Sequence, residues 1–321
     1  MNTGLPSVSI IIPTFNEEEY LSNCLRSVKS IDYPNEKYEV IVVDNGSEDS
    51  TLEIARSYGV KVYVKENIKV GAVRNFGAEN SYGDVLVFLD GDCVVDKGWI
   101  RRGLELLDNN SVVGGQYFLR ENPYWVEKYW ILNPDGASYE TSSLVGGCIM
   151  IRRDDFLKVG RFNESLNSGE DSELTHRLRR SGVNVRVTRQ FSVTHLGYPT
   201  SLTGFVKRQI WHSIDYGLHT EKSFKDKIFI LTSFYGFGLI FSVVGLLTSA
   251  KLLLIGLALA LICPASLSVK RIRRSKYKGS LKDVFSIFLI DNAYLWGRLA
   301  GLLSGLLMRV RSRKGEKYFR G

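Results

Sequence analysis

Asp90-Gly91-Asp92 closes an apolar run, Val85 to Leu89, that follows Gly83-Asp84. A short unbroken run of this kind predicts a strand buried on both faces. Two carboxylates at the end of such a strand are costly unless something pairs with them. Gly91 lets the backbone turn between them. A divalent cation, Mg²⁺ or Mn²⁺, suits these hard oxygens and is usually shared with a substrate phosphate. Taken alone, the tripeptide is better read as a turn that merely uses Asp and Gly, and the residues around it are what favour the cation. A second acidic pair, Glu170-Asp171, stands just ahead of a helical pattern, Ser172 to Ser181. Acidic groups at a helix start suit its dipole. The chemical alternative is that one of the two removes the proton from an acceptor hydroxyl. Asp44 and Arg74 are further charged candidates.

The elements that must position these residues can be read from periodicity. Val8 to Ile12 is a strand stopped by Pro13, and Asn16 to Ser30 is a helix with Asn16 as its N-cap. Tyr38 to Val43 is a strand ending in Asp44, Ser50 to Tyr58 a helix, and Val60 to Val64 a strand. Asn67 to Ser81 is a helix carrying Arg74, and the Asp90 strand follows it. Strands alternating with helices predict right-handed βαβ units and a parallel sheet. Ligands of such sheets sit beyond the carboxyl ends of the strands, where Pro13-Thr14, Asp44, and Asp90 with Asp92 all fall. The set suits a nucleoside diphosphate: Asp44 for the base, a cation for the phosphates, Arg74 for added charge. No Gly-rich dinucleotide fingerprint or Walker A sequence is present, which disfavours NAD and P-loop chemistry. Val145 to Arg152 is one more strand, with Gly146-Gly147 allowing close approach of a ligand. Arg120 to Thr141 is rich in aromatics (Tyr124, Trp125, Tyr129, Trp130, Tyr139) that could stack on a sugar, rest on a membrane or simply pack.

The back of the chain differs. Ile228 to Leu247 holds twenty residues without a charge and Leu252 to Val269 holds eighteen. Each could cross a bilayer as a helix, and the short connection makes them a hairpin. Lys222, Lys225 and Lys227 precede the pair, and Lys270, Arg271, Arg273, Arg274, Lys276 and Lys278 follow it. The excess of positive charge puts both ends, and the polar front of the chain, in the cytoplasm. A third stretch, Val284 to Met308, is broken by Asp291, Asn292 and Arg298 and carries Gly297, Gly301 and Gly305. It reads as an interfacial helix, or one docked on the hairpin by its glycine stripe, with a third crossing as the alternative. The net charge of +8 and pI near 9.2 allow anionic partners. With no nucleic-acid-binding motif beside the basic clusters, membrane lipids fit them better. Four cysteines show no paired metal spacing, and the first ten residues lack the pattern of a signal peptide. The expected domains are 1–222 and 223–321.

SIIIPTFNEEEYLSNCLRSV (9–28), VVDNGSEDST (42–51), GAVRNFGAENSYGDVLVFLDGDC (71–93), VGGCIMIRRDDFLKVGRFNE (145–164) and GEDSELTHRLRRSG (169–182) together resemble the family 2 glycosyltransferases. The resemblance implies a GT-A α/β fold: a mixed, mainly parallel sheet flanked by helices, here followed by a helical membrane module. It also implies inverting, metal-assisted transfer of a sugar from a nucleotide-sugar donor to a hydroxyl acceptor, polyprenyl-linked if the membrane module delivers it. Asp44 would contact the base, Asp90 the ribose side and Asp92 the metal. Pro13, Thr14, Asn16, Glu18, Arg74 and Gly91 would complete the donor site. His195 falls where some members place a further metal ligand. Asp171 would be the base, with Glu170 orienting or binding the acceptor, and Gly146, Gly147 and Trp211 on the acceptor side. Processive members carry Gln-x-x-Arg-Trp where this chain has Arg208-Gln209-Ile210-Trp211. The mismatch favours one sugar per visit. A non-catalytic nucleotide-sugar-binding membrane protein is the rival reading.

Overall fold

The computed structural model describes residues 4–132, 143–166, 168–218, 223–224 and 226–318. Tyr139, His219, Lys222 and Lys225 lie outside the described residues. Strands β1 (Val8–Thr14), β2 (Tyr38–Asp44), β3 (Lys61–Val64) and β4 (Val85–Leu89) run parallel to one another. Both faces of β1, β2 and β4 are buried, whereas the edge strand β3 is partly exposed. Val8, Ile10, Ile12, Val40, Val42, Val85, Val87 and Leu89 share one buried cluster. Ile11, Leu86 and Phe88 share a second, and Ile41 and Val43 a third. A strand buried on both faces is what an unbroken apolar run produces. Helices α1 (Leu21–Lys29), α2 (Thr51–Ser57) and α3 (Val70–Glu79) make the crossovers.

The sheet then changes sense. After the short β5 (Cys93–Val94) and α4 (Trp99–Leu106), β6 (Ser111–Gly114) joins the far side. β7 (Tyr117–Phe118) and α5 (Trp125–Ile131) precede β8 (Cys148–Arg152), which slots antiparallel between β4 and β6. Helices α6 (Arg153–Lys158) and α7 (Glu170–Arg180) lead to β9 (Asn184–Val187), parallel to β6. The seven-stranded order is β3-β2-β1-β4-β8-β6-β9. It is the mixed, mainly parallel arrangement expected. β10 (Val193–His195) builds a separate three-stranded sheet, between β5 and β7.

Several boundaries differ from those read in the sequence. α1 begins at Leu21, and Asn16 is not its N-cap: Asn16 has φ of 54° and sits in the loop, and Leu21 N–H closes onto Glu17 O at 2.9 Å. α3 spans ten residues rather than starting at Asn67. β8 begins at Cys148, after a turn in which Cys148 N–H reaches Val145 O. α7 begins at Glu170, so both acidic residues belong to its first turn.

Residue contacts divide the chain into two compact units, Met1–Glu121 with Ala137–Gly197, and Asn122–Gly136 with Tyr198–Gly321. This is not one cut at residue 222, because α5 groups with the second unit. There, α8 (Leu202–Trp211), α9 (Ile214–Leu218), α10 (Lys227–Thr248), α11 (Ala250–Ser275) and α12 (Leu281–Tyr318) follow in turn. Among the described residues α10 and α11 are the helices long and apolar enough to cross a membrane. Val126, Tyr129, Phe205, Tyr235, Leu267, Ile287 and Leu295 form the unit's buried cluster. Asp291, fully buried, is paired with Arg271 and accepts from Ser268 Oγ at 2.7 Å. Arg271 also donates to Tyr129 O and Trp130 O, and so fixes α5 to α11 and α12.

The glycine stripe of α12 does not face the α10–α11 hairpin. A Cβ on Gly301 would lie 2.1 Å from Ser213 Oγ and 2.3 Å from Ile210 O, and one on Gly305 would lie 2.0 Å from Ile214 O. The stripe admits the backbone of α8 and α9 instead. Gly301→Leu is therefore expected to lower stability by about 1–3 kcal/mol or more through overpacking. Leu303→Ala, on the exposed side of α12, should shift it by less than about 0.5 kcal/mol. Thermal unfolding of the purified chain reads the difference.

Candidate active site

The exit of β4 and the entry of β8 are adjacent because the antiparallel register pairs Leu89 with Cys148. Asp90, just after Leu89, thus meets Gly147, just before Cys148. A Cβ on Gly147 would sit 2.2 Å from Asp90 Oδ2, so only glycine fits. Asp90 Oδ1 accepts from Arg74 at 2.8 Å and Oδ2 from the Tyr117 hydroxyl at 3.1 Å. The second terminal nitrogen of Arg74 donates to Glu170 Oε1 at 2.6 Å. The Arg74 side chain is only 4% exposed, and Glu170 only 8%. A Cβ on Gly146 would press on this guanidinium at 2.7 Å. Gly146 N–H in turn reaches Asp171 Oδ2 at 3.1 Å, and Asp171 Oδ1 accepts from Ser172 N–H at 2.6 Å. The Asp90 tripeptide and the Glu170-Asp171 pair, far apart in sequence, are therefore joined by one buried arginine.

This alters two expectations. Arg74 is not held out toward a phosphate: its terminal nitrogens are each engaged by a carboxylate and its side chain is buried. Glu170 likewise is directed at Arg74, not at open space for an acceptor. Asp171, partly exposed, is the member of the pair that keeps access.

The loops after β1 and β2 hold one another. Asp44 is fully buried and accepts from Thr14 Oγ1 at 3.1 Å, Ser47 Oγ at 2.5 Å, and the N–H groups of Gly46 and Ser47. Its carboxylate organises the turn, in which Gly46 has a φ of 88° that favours glycine. The expectation that Asp44 offers an open carboxylate to a base is not met by this geometry. Asn16 and Glu18 serve the same joint. Asn16 N–H donates to Ser47 Oγ at 2.8 Å, and Ser50 N–H reaches Glu18 Oε2 at 3.1 Å. A Cβ on Gly91 would lie 3.1 Å from Thr14 Cγ2 and 3.6 Å from Pro13 O. Asp44, the β1 loop, Asp90 to Asp92 and Asp171 thus line one continuous set of contacts.

The three-stranded sheet brings in His195. β10 pairs antiparallel with β5 so that His195 lies opposite Cys93. His195 Nε2 lies 3.3 Å from Asp92 Oδ2, and the Cys93 thiol donates to Asp92 Oδ1 at 3.4 Å. Burial, and next the Asp92 and Asp90 charges, push the Cys93 thiol well above its usual range. Among the described residues, Asp92, Cys93 and His195 are grouped with donor atoms all within 4.8 Å of one another. Tyr117, which sequence reasoning missed, packs its ring on His195 with centroids 4.7 Å apart and accepts Gly147 N–H at 3.1 Å. Burial, followed by the Asp90 charge, pushes its hydroxyl well above the usual range and keeps it a donor to Asp90. Nothing in the sequence near Tyr117 marks it, since its partners come from three other segments. Trp211 belongs to the second unit, where it is 63% exposed at the end of α8.

The fold and these residues define a GT-A glycosyltransferase. The glycosyl transferase family 2 model matches residues 9–160, and that of the N-terminal domain of galactosyltransferase matches residues 129–200. Glycosyltransferase AglE of Haloferax volcanii is 33% identical over 62% of this chain and 70% of its own length. The dolichyl N-acetyl-alpha-D-glucosaminyl phosphate 3-beta-D-2,3-diacetamido-2,3-dideoxy-beta-D-glucuronosyltransferase of Methanococcus voltae is 24% identical over 93% of this chain and 98% of its own. Mannosyltransferase PcManGT from Pyrobaculum calidifontis, solved with GDP-Man and Mn²⁺, shares the fold: TM-score 0.55, 18% identity, covering 96% of this chain and 88% of that one. The chain belongs to glycosyltransferase family 2 and is a transferase.

Removing the Arg74 bridge leaves the buried Glu170 and the partly exposed Asp90 without this countercharge. Arg74→Met is expected to cost about 3–5 kcal/mol of stability. Combining it with Glu170→Gln should recover part of that loss. Denaturant midpoints of the two variants against the parent measure both.

Proposed function

We propose that the site carries out an inverting, single-displacement transfer of one sugar from a nucleoside-diphosphate sugar to the hydroxyl of a lipid-linked acceptor, with Asp171 as general base. The observation that carries this reading is the Arg74 bridge, which ties the Asp90 loop to the first turn of α7. A donor lying against the ends of β1, β2 and β4 then has Asp171 at its edge. With Glu170 engaged by Arg74, Asp171 is the carboxylate that can accept a proton. Its oxygens are aimed by the N–H groups of Gly146 and Ser172. The acceptor oxygen, as it loses its proton to Asp171, attacks the anomeric carbon on the side away from the leaving diphosphate, and the configuration inverts. Gly146 and Gly147 let the backbone close onto Arg74 and Asp90 beside this approach. The carboxylate of Asp44 shapes the loop that receives the base, and Thr14, Asn16 and Glu18 hold that loop to the end of β1.

The donor set fits a divalent cation. His195 Nε2 and Asp92 Oδ2 stand 3.3 Å apart, close enough for one ion to touch both. Asp92 and His195 would hold the ion, and an imidazole ligand favours Mn²⁺ over the more oxygen-demanding Mg²⁺. When bound, it supplies positive charge for the leaving diphosphate.

We place the reaction at the cytoplasmic face of a membrane. α10 and α11 have the length and apolarity for two crossings, and Lys270, Arg273 and Arg274 at the end of α11 set the orientation. The activity of the Methanococcus voltae relative on a dolichyl-linked phosphosugar supports a lipid-linked acceptor here.

Asp171→Asn is expected to lower transfer by about 10²–10⁴-fold while donor binding, read by calorimetry, stays unchanged. Labelled product should partition into organic solvent. Transfer within a few-fold of the parent, or a product of retained configuration, contradicts the mechanism.

A further inference from the structure

We propose that Asp92, Cys93 and His195 form a three-donor site for a thiophilic divalent cation, Zn²⁺ or Cd²⁺, which competes with the hard cation that transfer uses. The inhibitory consequence rests on the functional reading above, whereas the binding itself does not.

The geometry comes from strand register. Directly opposed residues of an antiparallel pair project to the same face, and His195 is opposed to Cys93. Asp92 stands next to Cys93 and turns its carboxylate toward both. The separations are 3.3 Å from His195 Nε2 to Asp92 Oδ2 and 3.4 Å from Cys93 Sγ to Asp92 Oδ1. Zinc bonds of about 2.0–2.3 Å in tetrahedral array put neighbouring donors roughly 3.3–3.8 Å apart. The imidazole and the thiol each stand at this spacing from one of the two Asp92 oxygens, and one donor atom from each of the three residues can be chosen with all of them within 4.8 Å.

The ligand types decide which cation gains. A thiolate with an imidazole and a carboxylate suits Zn²⁺, while Mn²⁺ and Mg²⁺ gain little from sulfur. On binding, the Cys93 S–H bond breaks and a metal–sulfur bond forms. The proton leaves to buffer, and the hydrogen bond to Asp92 Oδ1 is exchanged for coordination. There is no change of oxidation state. The other function open to Cys93 is packing: it is fully buried in the main core cluster, and its thiol could do no more than orient Asp92. The two roles give different metal chemistry.

The test titrates the full-length protein with Cd²⁺ in a thiol-free reductant and reads the thiolate-to-metal charge-transfer band in the ultraviolet. We expect the band to saturate at one Cd²⁺ per chain, to vanish in Cys93→Ser, and to persist in Cys24→Ser and Cys263→Ser. Zn²⁺ should displace Mn²⁺, followed by the electron paramagnetic resonance of the free ion, at a concentration about 10-fold lower in the parent than in Cys93→Ser. Mn²⁺ affinity itself should be alike in the two. A band that survives Cys93→Ser, or equal Zn²⁺ competition in both proteins, overturns the proposal. X-ray absorption of the zinc-loaded parent needs no variant: a shell with one sulfur supports the site, and a shell of nitrogen and oxygen alone overturns it. A Cd²⁺ band without any Mn²⁺ binding supports this site and counts instead against the hard-cation part of the proposed transfer.

Discussion

The guanidinium of Arg74 is the constraint around which the catalytic unit is arranged. It is a buried cation with one carboxylate on each terminal nitrogen. In a medium of low polarity, none of these three charges can be left alone without a cost of several kcal/mol. That penalty holds the end of β4, the start of α7 and the middle of α3 in mutual register. Arginine suits the task because its rigid planar fork addresses two acceptors at once, which a lysine ammonium does less well. The burial of the pair Arg74 and Glu170 also separates the two adjacent acidic residues of α7 by environment. One is committed to structure, and the other stays partly exposed.

A second constraint is the reversal of strand sense at β8. Parallel strands would all bring their carboxyl ends to the site. β8 instead presents its beginning there, with the glycine pair at its mouth. Backbone rather than side chain is therefore what faces Asp90 and Asp171. The N–H of Gly146 and that of Gly147 become fixed donors, to Asp171 and to Tyr117 respectively. A backbone donor has no rotamers to lose, so its direction is set by the sheet alone.

Much of this was legible in the residues themselves. Apolar runs ending in Pro13 or in acidic groups locate β1, β2 and β4, and the strand-end rule gathers Thr14, Asp44 and Asp90 from the sequence alone. The reason is that alternation and termination are local properties. Partnership is not. That Arg74 would turn inward, that Asp44 would be enclosed by its own turn, and that the α12 glycines would receive α8 and α9 all depend on which segments meet. Tyr117 and the Cys93–His195 opposition depend on register between short strands of two or three residues, too brief to carry a pattern. Asp291 illustrates the same limit. It reads as an interruption of an apolar helix until Arg271 and Ser268 are seen beside it.

The position of α5 has a consequence for biosynthesis. This helix is encoded between β7 and β8, yet its side chains are buried among elements made much later. Tyr129 bonds to Asp283, 154 residues downstream, and its carbonyl to Arg271, 142 residues downstream. On the ribosome, Val126 and Tyr129 must therefore wait as exposed apolar surface while most of the remaining polypeptide is translated. Such waiting surface attracts chaperones and insertion machinery. The β8 strand, meanwhile, must thread back between β4 and β6, both made before α5. Growth of the chain and completion of the second unit are thereby coupled in time, and a nascent chain halted before α11 would lack the arginine that ends the wait.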